Sequence, residues 1–485
     1  MLEDYAKYDA VGLAALVASG EVTPDELLDC ALARVSALNP ALNAVVHIQE
    51  ERARRSIAAG LPDGPLKGVP FLLKDLGAEA IDFPTNNGSK MMAGMTWSYD
   101  SEIYRRMKAT GIVTFGRTAA PELGVGPVTE AQVYGGPTRN PWDLGRTPGG
   151  SSGGAGAVVA AGIIPAAHGS DGGGSVRIPA SSCGLVGVKP TRARLPDGPV
   201  SGEGWAGMAI DGFLTRSLRD TAVLLDATQG ADLGAPYVAP ALLGTFSDAI
   251  TAPVAPLRVL CCTTTLTGTP IHSDCMSAVT RTAAVLEDLG HVVEMYVPDP
   301  DLRIEEMMAA WTAIVACGTA LTVRQVSGGK PEPQMLEGVT RGAIQMARSI
   351  SGADYLNAVN KIHGFGRRMA RVFRDHDVLL TPTLAEPPVQ IGRLKPDNED
   401  FLDYRTGPGG VFEYSPFAAI FNASGQPAAS LPMYWNGDDL PIGVHLAMAY
   451  GEDERLLSLA GELERAAPWA EKQQSLIDAG PQGIA

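Results

Sequence analysis

Residues 145–192 read GRTPGGSSGGAGAVVAAGIIPAAHGSDGGGSVRIPASSCGLVGVKPTR. Two glycine-dense knots, Gly149–Gly156 and Gly169–Ser175, flank a short apolar run. Glycine loses more backbone entropy on folding than any other residue, so such clusters belong where the chain turns sharply or another group comes close. The first knot presents Ser151 and Ser152, and the second ends on Ser175. Three residues without Cβ, Gly172, Gly173 and Gly174, directly precede Ser175, so successive N–H groups can converge on one point. An exposed nucleophile beside an oxyanion site needs that arrangement, and losing one such donor typically costs roughly 3 kcal/mol.

Phosphate binding is the competing use of a glycine-rich loop. A P-loop requires lysine directly after its glycines, and GGSSGGAG has none; no preceding strand delivers the GxGxxG spacing of a dinucleotide site. The serine reading needs a base, because a hydroxyl alone is a weak nucleophile. No GxSxG elbow suggests a serine–histidine pair, and His168 reads as the end of a strand. Lys74 is the better base. A lysine at a strand end can simply snorkel to water, but this one follows Val69-Pro70-Phe71-Leu72-Leu73, where burial would lower its pKa toward neutrality. A neutral amine accepts a proton directly or through an intervening hydroxyl, and Ser151 or Ser152 could supply that hydroxyl.

The 485-residue chain is 45% hydrophobic and 19% charged, the balance of a soluble globular protein with a large core. Its 56 glycines exceed the average share of about 7% and follow no period, so they read as tight turns. A net charge of −16 argues against nucleic-acid or anionic-membrane partners. Cys30, Cys183, Cys261, Cys262, Cys275 and Cys317 form no CxxC and share no metal-ligand spacing with a histidine. Buried thiols in a reducing compartment, no metal and no cofactor are the expectation. The N-terminal stretch is acidic and lacks a basic n-region. Ala155–His168, taken as the longest mostly apolar run, is too short to span a bilayer, so the expected location is cytoplasmic.

Short apolar strands alternating with helical patterns predict an α/β layered fold. Helices are expected over Asp9–Ser19, Thr23–Leu38, Glu50–Ala59, Ser101–Thr110, Ser152–Ala161 and Arg216–Gln229. Strands are expected at Asn43–His47, Leu66–Leu76, Ile112–Phe115, Ile163–Ala167 and Gly184–Lys189. Gly230–Pro256, rich in Gly, Pro and Ala, marks a seam. Beyond it come a strand–helix–strand unit over 257–297 and long helices at Arg303–Val326 and Met335–Asp375. A strand at Val378–Thr381 follows. Leu384–Tyr414 has no clear period; strands at Ser424–Pro432 and Ile442–Met448 and a helix at Asp453–Ala466 close the chain.

Gly149-Gly150-Ser151-Ser152-Gly153-Gly154 and Asp171-Gly172-Gly173-Gly174-Ser175-Val176-Arg177-Ile178-Pro179 resemble the amidase signature family of serine hydrolases. Gly68–Asp75 resembles that family's lysine motif, and Arg139-Asn140-Pro141, Gly187–Thr191 and Asn422–Ala428 resemble further landmarks, so the likeness covers nearly the whole chain. The resemblance implies a mixed β-sheet core covered by helices on both faces. It implies one domain over 1–485, a catalytic core over 68–230 and a more variable helical substrate-side region over 257–375. It also implies a Ser–cisSer–Lys triad of Ser175 as nucleophile, Ser151 as relay after a cis peptide bond from Gly150, and Lys74 as base. The oxyanion hole falls on the N–H groups of Gly172, Gly173, Gly174 and Ser175, with Ser152, Asp171 and Arg177 in support. Family members commonly carry a larger residue, often threonine or isoleucine, where Gly172 stands.

The implied activity is hydrolysis of C–N bonds in small amides, anilides or carbamates through an acyl-enzyme on Ser175. The alternative is a glutaminase subunit of a tRNA-dependent amidotransferase. Within the family, the overall pattern looks closest to aryl acylamidases, urethanases and 6-aminohexanoate-oligomer hydrolases. A small amide or carbamate is the expected partner, without nucleic acid or membrane, and a homodimer is compatible with the resemblance. The substrate pocket is expected from Gly124–Tyr134, Met91–Met95 and Met307–Cys317, with Met95, Gly126, Trp311 and Cys317 as candidate contacts.

Overall fold

The computed structural model describes residues 2–482. One mixed sheet of eleven strands runs through it: β1 Val45–Ile48, β2 Pro70–Lys74, β3 Val113–Thr118, β4 Ala166–Asp171, β5 Val186–Lys189, β6 Ile210–Thr215, β7 Arg258–Cys261, β8 Val292–Met295, β9 Val378–Pro382, β10 Ala428–Trp435 and β11 Pro441–Met448. Their order is β1-β3-β2-β4-β6-β5-β10-β11-β9-β7-β8. The Gly230–Pro256 seam separates β1–β6 from β7–β11, and the antiparallel pairing of β5 with β10 joins the two sets into one sheet.

Strand β2 lies between β3 and β4 and is parallel to both. Its sequence, PFLLK, is buried at every position, as expected of a parallel strand covered on both faces. Alternation along β9 shows the two faces directly. Val378 and Leu380 enter one apolar cluster, whereas Leu379 enters a second one built largely from the later helices. Helix entries follow their sequence signals: Thr23 and Glu26 form a reciprocal capping box with Pro24 in the first turn.

Several boundaries differ from the sequence expectation. Met335–Asp375 is two helices, Gly338–Arg348 and Gly352–Asp375, because Ser351 caps the second through a capping box with Asp354. The aperiodic stretch before Tyr414 contains short helices at Phe401–Thr406 and Val411–Tyr414. The strand expected from Ser424 starts at Ala428, since Ala418–Ser424 is helical and stops at left-handed Gly425. Strand β6 and the helix Ala470–Ala479 were not anticipated. The longest apolar run was also misjudged. Pro300–Val326 is long and apolar enough to cross a membrane, with a mean hydropathy of 1.4. In the fold its Met307, Trp311, Ile314 and Val315 are buried in the second apolar cluster.

Candidate active site

Parallel neighbours end on the same side of a sheet, so β2 and β4 bring Lys74 and the Ser170–Asp171 step side by side. Both main-chain groups of Lys74 are held. Its N–H donates to His168 Nδ1 at 3.3 Å, and its carbonyl accepts from Arg117 Nη1 at 2.7 Å. The second imidazole nitrogen, His168 Nε2, lies 3.0 Å from Asp211 Oδ1. His168 is thus part of the wall that positions Lys74, inside β4 rather than at the end of a strand.

The Lys74 side chain is 0% exposed. Its Nζ lies 2.7 Å from Ser151 Oγ and 2.9 Å from Ser170 Oγ. Burial lowers its pKa from 10.5 to about 7, with the Asp211 and Asp171 carboxylates offsetting part of the shift. Near neutral pH a large fraction is therefore the free amine, in hydrogen-bond contact with a hydroxyl. The Gly150–Ser151 peptide is cis. Gly124 faces Ser151, and a Cβ there would lie 3.3 Å from Ser151 Oγ.

The two glycine knots are tied together by Ser152. Its N–H donates to the Ser175 carbonyl at 3.2 Å, and its Oγ accepts from the Ser170 N–H at 3.2 Å. The second knot is braced by Asp171, which pairs with Arg177 through Nε at 3.0 Å and Nη2 at 2.8 Å. Burial alone would raise the Asp171 pKa, but the Arg177 guanidinium overrides it and holds the carboxyl well below the usual range. Asn422 Nδ2 adds a bond to Asp171 Oδ1 at 2.9 Å.

Asp171 also accepts from the Gly174 N–H, at 2.7 Å. That donor is therefore occupied and does not belong to an oxyanion site, contrary to the four-donor expectation. The N–H groups of Gly172, Gly173 and Ser175 have no acceptor among the described residues. Gly174 has φ of 118°, which only glycine adopts readily.

Ser175 opens onto a cavity shared with Gly124, Gly126, Gly173, Trp205, Trp311, Phe412, Arg405 and Ser415. Trp311 Nε1 donates to the Gly172 carbonyl at 3.1 Å, and the Trp311 ring packs edge-on against Trp205 and Phe412. Of the four expected contacts, Gly126 and Trp311 line this cavity. Met95 is not among the lining residues; its backbone pairs with Thr85 in an isolated bridge. Cys317, half-buried, is likewise not among the lining residues; it follows Trp311 on the helix Ile304–Val326.

Sequence reasoning missed Ser170, although it sits beside Asp171. Alternation along β4 puts His168 and Ser170 on one face, but the strand was expected to end at Ala167. Trp205, Arg405, Phe412 and Ser415 were missed because their segments lack hydrophobic periodicity; no local signal marks them. Chemically, the arrangement offers a buried amine in contact with a hydroxyl, a serine facing a cavity, and three unoccupied N–H donors in its own loop.

Comparison with known proteins gives a consistent picture. The sequence profile described as Amidase matches residues 26–457. The chain is 36% identical over 481 residues to the 6-aminohexanoate-cyclic-dimer hydrolase of Paenarthrobacter ureafaciens, covering 97% of both chains. It is similar to the solved structure of a 6-aminohexanoate cyclic dimer hydrolase complexed with substrate, with a TM-score of 0.91 at 34% identity over 97% of this chain and 99% of that one. A bacterial aryl acylamidase structure gives a TM-score of 0.86 at 27% identity, covering 97% and 98%.

Proposed function

This chain belongs to the amidase family and is a hydrolase of carbon–nitrogen bonds, and we propose that it cleaves small amides, anilides or carbamates through an acyl-enzyme on Ser175. The observation that carries the mechanism is the 2.7 Å contact between Ser151 Oγ and Lys74 Nζ, an amine whose pKa burial brings to about 7.

Neutral Lys74 takes a proton from Ser151 as Ser151 takes one from Ser175. The Ser175 oxygen bonds to the substrate carbonyl carbon, and the resulting oxyanion accepts hydrogen bonds from the N–H groups of Gly172, Gly173 and Ser175. Collapse breaks the C–N bond, and the proton on Lys74 returns through Ser151 to the leaving nitrogen. Water, activated over the same path, then attacks the ester and releases the acid and free Ser175. Ser152 and the Asp171–Arg177–Asn422 cluster hold the two loops in register. The likeness to a cyclic-dimer hydrolase and an aryl acylamidase favours direct amide hydrolysis over a glutaminase subunit.

The test is a hydrolysis screen over primary amides, p-nitroanilides, aryl carbamates and 6-aminohexanoate oligomers, with Ser175→Ala as control. Turnover of at least one class, lost in Ser175→Ala, is expected. Turnover that survives in Ser175→Ala would remove Ser175 from the reaction.

A further inference from the structure

The cavity beside Ser175 is lined by a cation, Arg405, that no group among the described residues pairs with. Arg405 is 3% exposed and makes no ion pair or hydrogen bond among the described residues; its buried Nε has no acceptor. Three aromatic rings surround it: Trp311 and Phe401 at 5.0 Å, and Tyr404 at 5.4 Å from the guanidinium carbon. Ring faces attract the charge but give its N–H groups no in-plane acceptor. Ser415, 2% exposed on the same cavity wall, also has an Oγ without a partner.

Arg117 and Arg177, also buried, are bonded through all three guanidinium nitrogens. Arg117 donates to the carbonyls of Lys74, Gly77, Ala78 and Phe83, and Arg177 to Asp171, Asn422 and Ala418. Leaving buried donors unmet is costly, and most so for a charged one, so an unpaired guanidinium and an unpaired hydroxyl lining one cavity mark a place for an acceptor from outside the chain. Burial lowers the Arg405 pKa only to about 10, so the group stays charged at neutral pH.

The geometry points to a carboxylate on the substrate as the partner of Arg405 and Ser415, so that the preferred substrates are amides carrying a carboxylate away from the scissile bond. A planar guanidinium matches a carboxylate in two parallel bonds, which a neutral amide or ether oxygen cannot offer. The inference rests on the reading of Ser175 as the nucleophile.

Two substrate pairs test it and separate the two sides of the scissile bond. Succinic acid mono-p-nitroanilide against pentanoyl p-nitroanilide places the charge on the acyl side. 4-Acetamidobenzoate against 4-methylacetanilide places it on the amine side. In at least one pair the acid is expected to have kcat/KM about 10-fold or more above its neutral partner. Arg405→Met should raise KM for that acid roughly 10- to 100-fold with kcat nearly unchanged, the loss of a charge-assisted contact. The neutral partner should change less than about 3-fold, Arg405→Lys should recover part of the effect, and Ser415→Ala should shift KM in the same direction by less.

Equal rates within both pairs, or equal damage to acid and neutral substrates, would overturn the proposal and leave Arg405 a structural stacking residue. Should Arg405→Met not fold, competitive inhibition of the wild type by succinate or benzoate decides the matter, and its absence counts against the proposal. Labelling of Ser175 by a fluorophosphonate keeps the two readings apart. A labelled enzyme without acid preference fails here alone, whereas an unlabelled Ser175 fails the hydrolase mechanism itself.

Discussion

Gly172 and Trp205 fit together because one lacks what the other would collide with: a Cβ on Gly172 would stand 2.6 Å from Trp205 Cζ3. Gly173 stands in the same relation to Trp311, at 2.7 Å from Cζ2, and Gly318 to Trp205, at 2.6 Å from Cδ1. The Trp205 indole thus fills the space that a side chain at Gly172 would need. Trp205 itself sits on a turn with left-handed φ at both Trp205 and Ala206. Gly172→Thr is expected to lower stability by about 1–3 kcal/mol, the usual effect of overpacking, and to reduce kcat/KM at least 10-fold. Trp205→Ala in the same chain should restore part of both. A double-mutant cycle on urea midpoints and rates reads this coupling, and an unaffected Gly172→Thr enzyme would refute it.

Ser170 Oγ is the second hydroxyl on Lys74 Nζ. Its removal leaves Ser151 in place but frees the amine to turn away. Ser170→Ala should lower kcat by about 10-fold, whereas Ser151→Ala, which cuts the proposed proton path, should lower it by the roughly 10²–10⁴ of general acid–base catalysis. Equal losses in the two variants would show that Ser151 has no special place.

The pH dependence follows from the direction of the Lys74 shift. Its folded pKa of about 7 lies below the ordinary 10.5, and the base is the neutral amine. The kcat/KM profile should therefore fall about tenfold per pH unit below 7, with an apparent pKa near that value; a flat profile down to about pH 5 would contradict a lysine base. Stability carries the same sign. Between about pH 7 and 10.5 the unfolded chain binds the extra proton, so the burial penalty is full below 7 and fades as pH rises toward 10.5. Relative to wild type, Lys74→Met should gain most in urea midpoint at acidic pH and least near pH 10.

His168 stands between Lys74 and Asp211 as a wall rather than as a base. His168→Ala orphans a buried N–H and a carboxylate, so it should cost about 1–3 kcal/mol in stability. Residual activity should keep the Lys74-dependent pH profile. A loss of roughly 10²–10⁴ in kcat in a folded His168→Ala protein would transfer the base role to the histidine.

The proposed reacting groups stand out in the sequence because each sits in a segment whose composition departs from the ordinary. Lysine ends an apolar strand, and serines follow glycine clusters. The strands β2, β3 and β5 were likewise marked by short β-rich apolar runs. What stayed hidden depends on long-range packing. That Gly174 spends its N–H on Asp171 follows from the loop's curl around a carboxylate, which no spacing reveals. Arg405 and Ser415 arrive from a stretch without period, whose short helices exist because Phe401, Tyr404, Val411, Phe412 and Tyr414 find the second apolar cluster. Met95 and Cys317 were chosen for their chemistry alone, and neither lines the cavity beside Ser175.

The most direct measurement is mass-mapped labelling by a fluorophosphonate alongside amide turnover, in wild type and in Lys74→Ala shown by circular dichroism to be folded. The account predicts a single adduct on Ser175 in the wild type, with both labelling and turnover lost in Lys74→Ala. An adduct on any other residue, or a folded Lys74→Ala enzyme that hydrolyses amides at the wild-type rate, would contradict it.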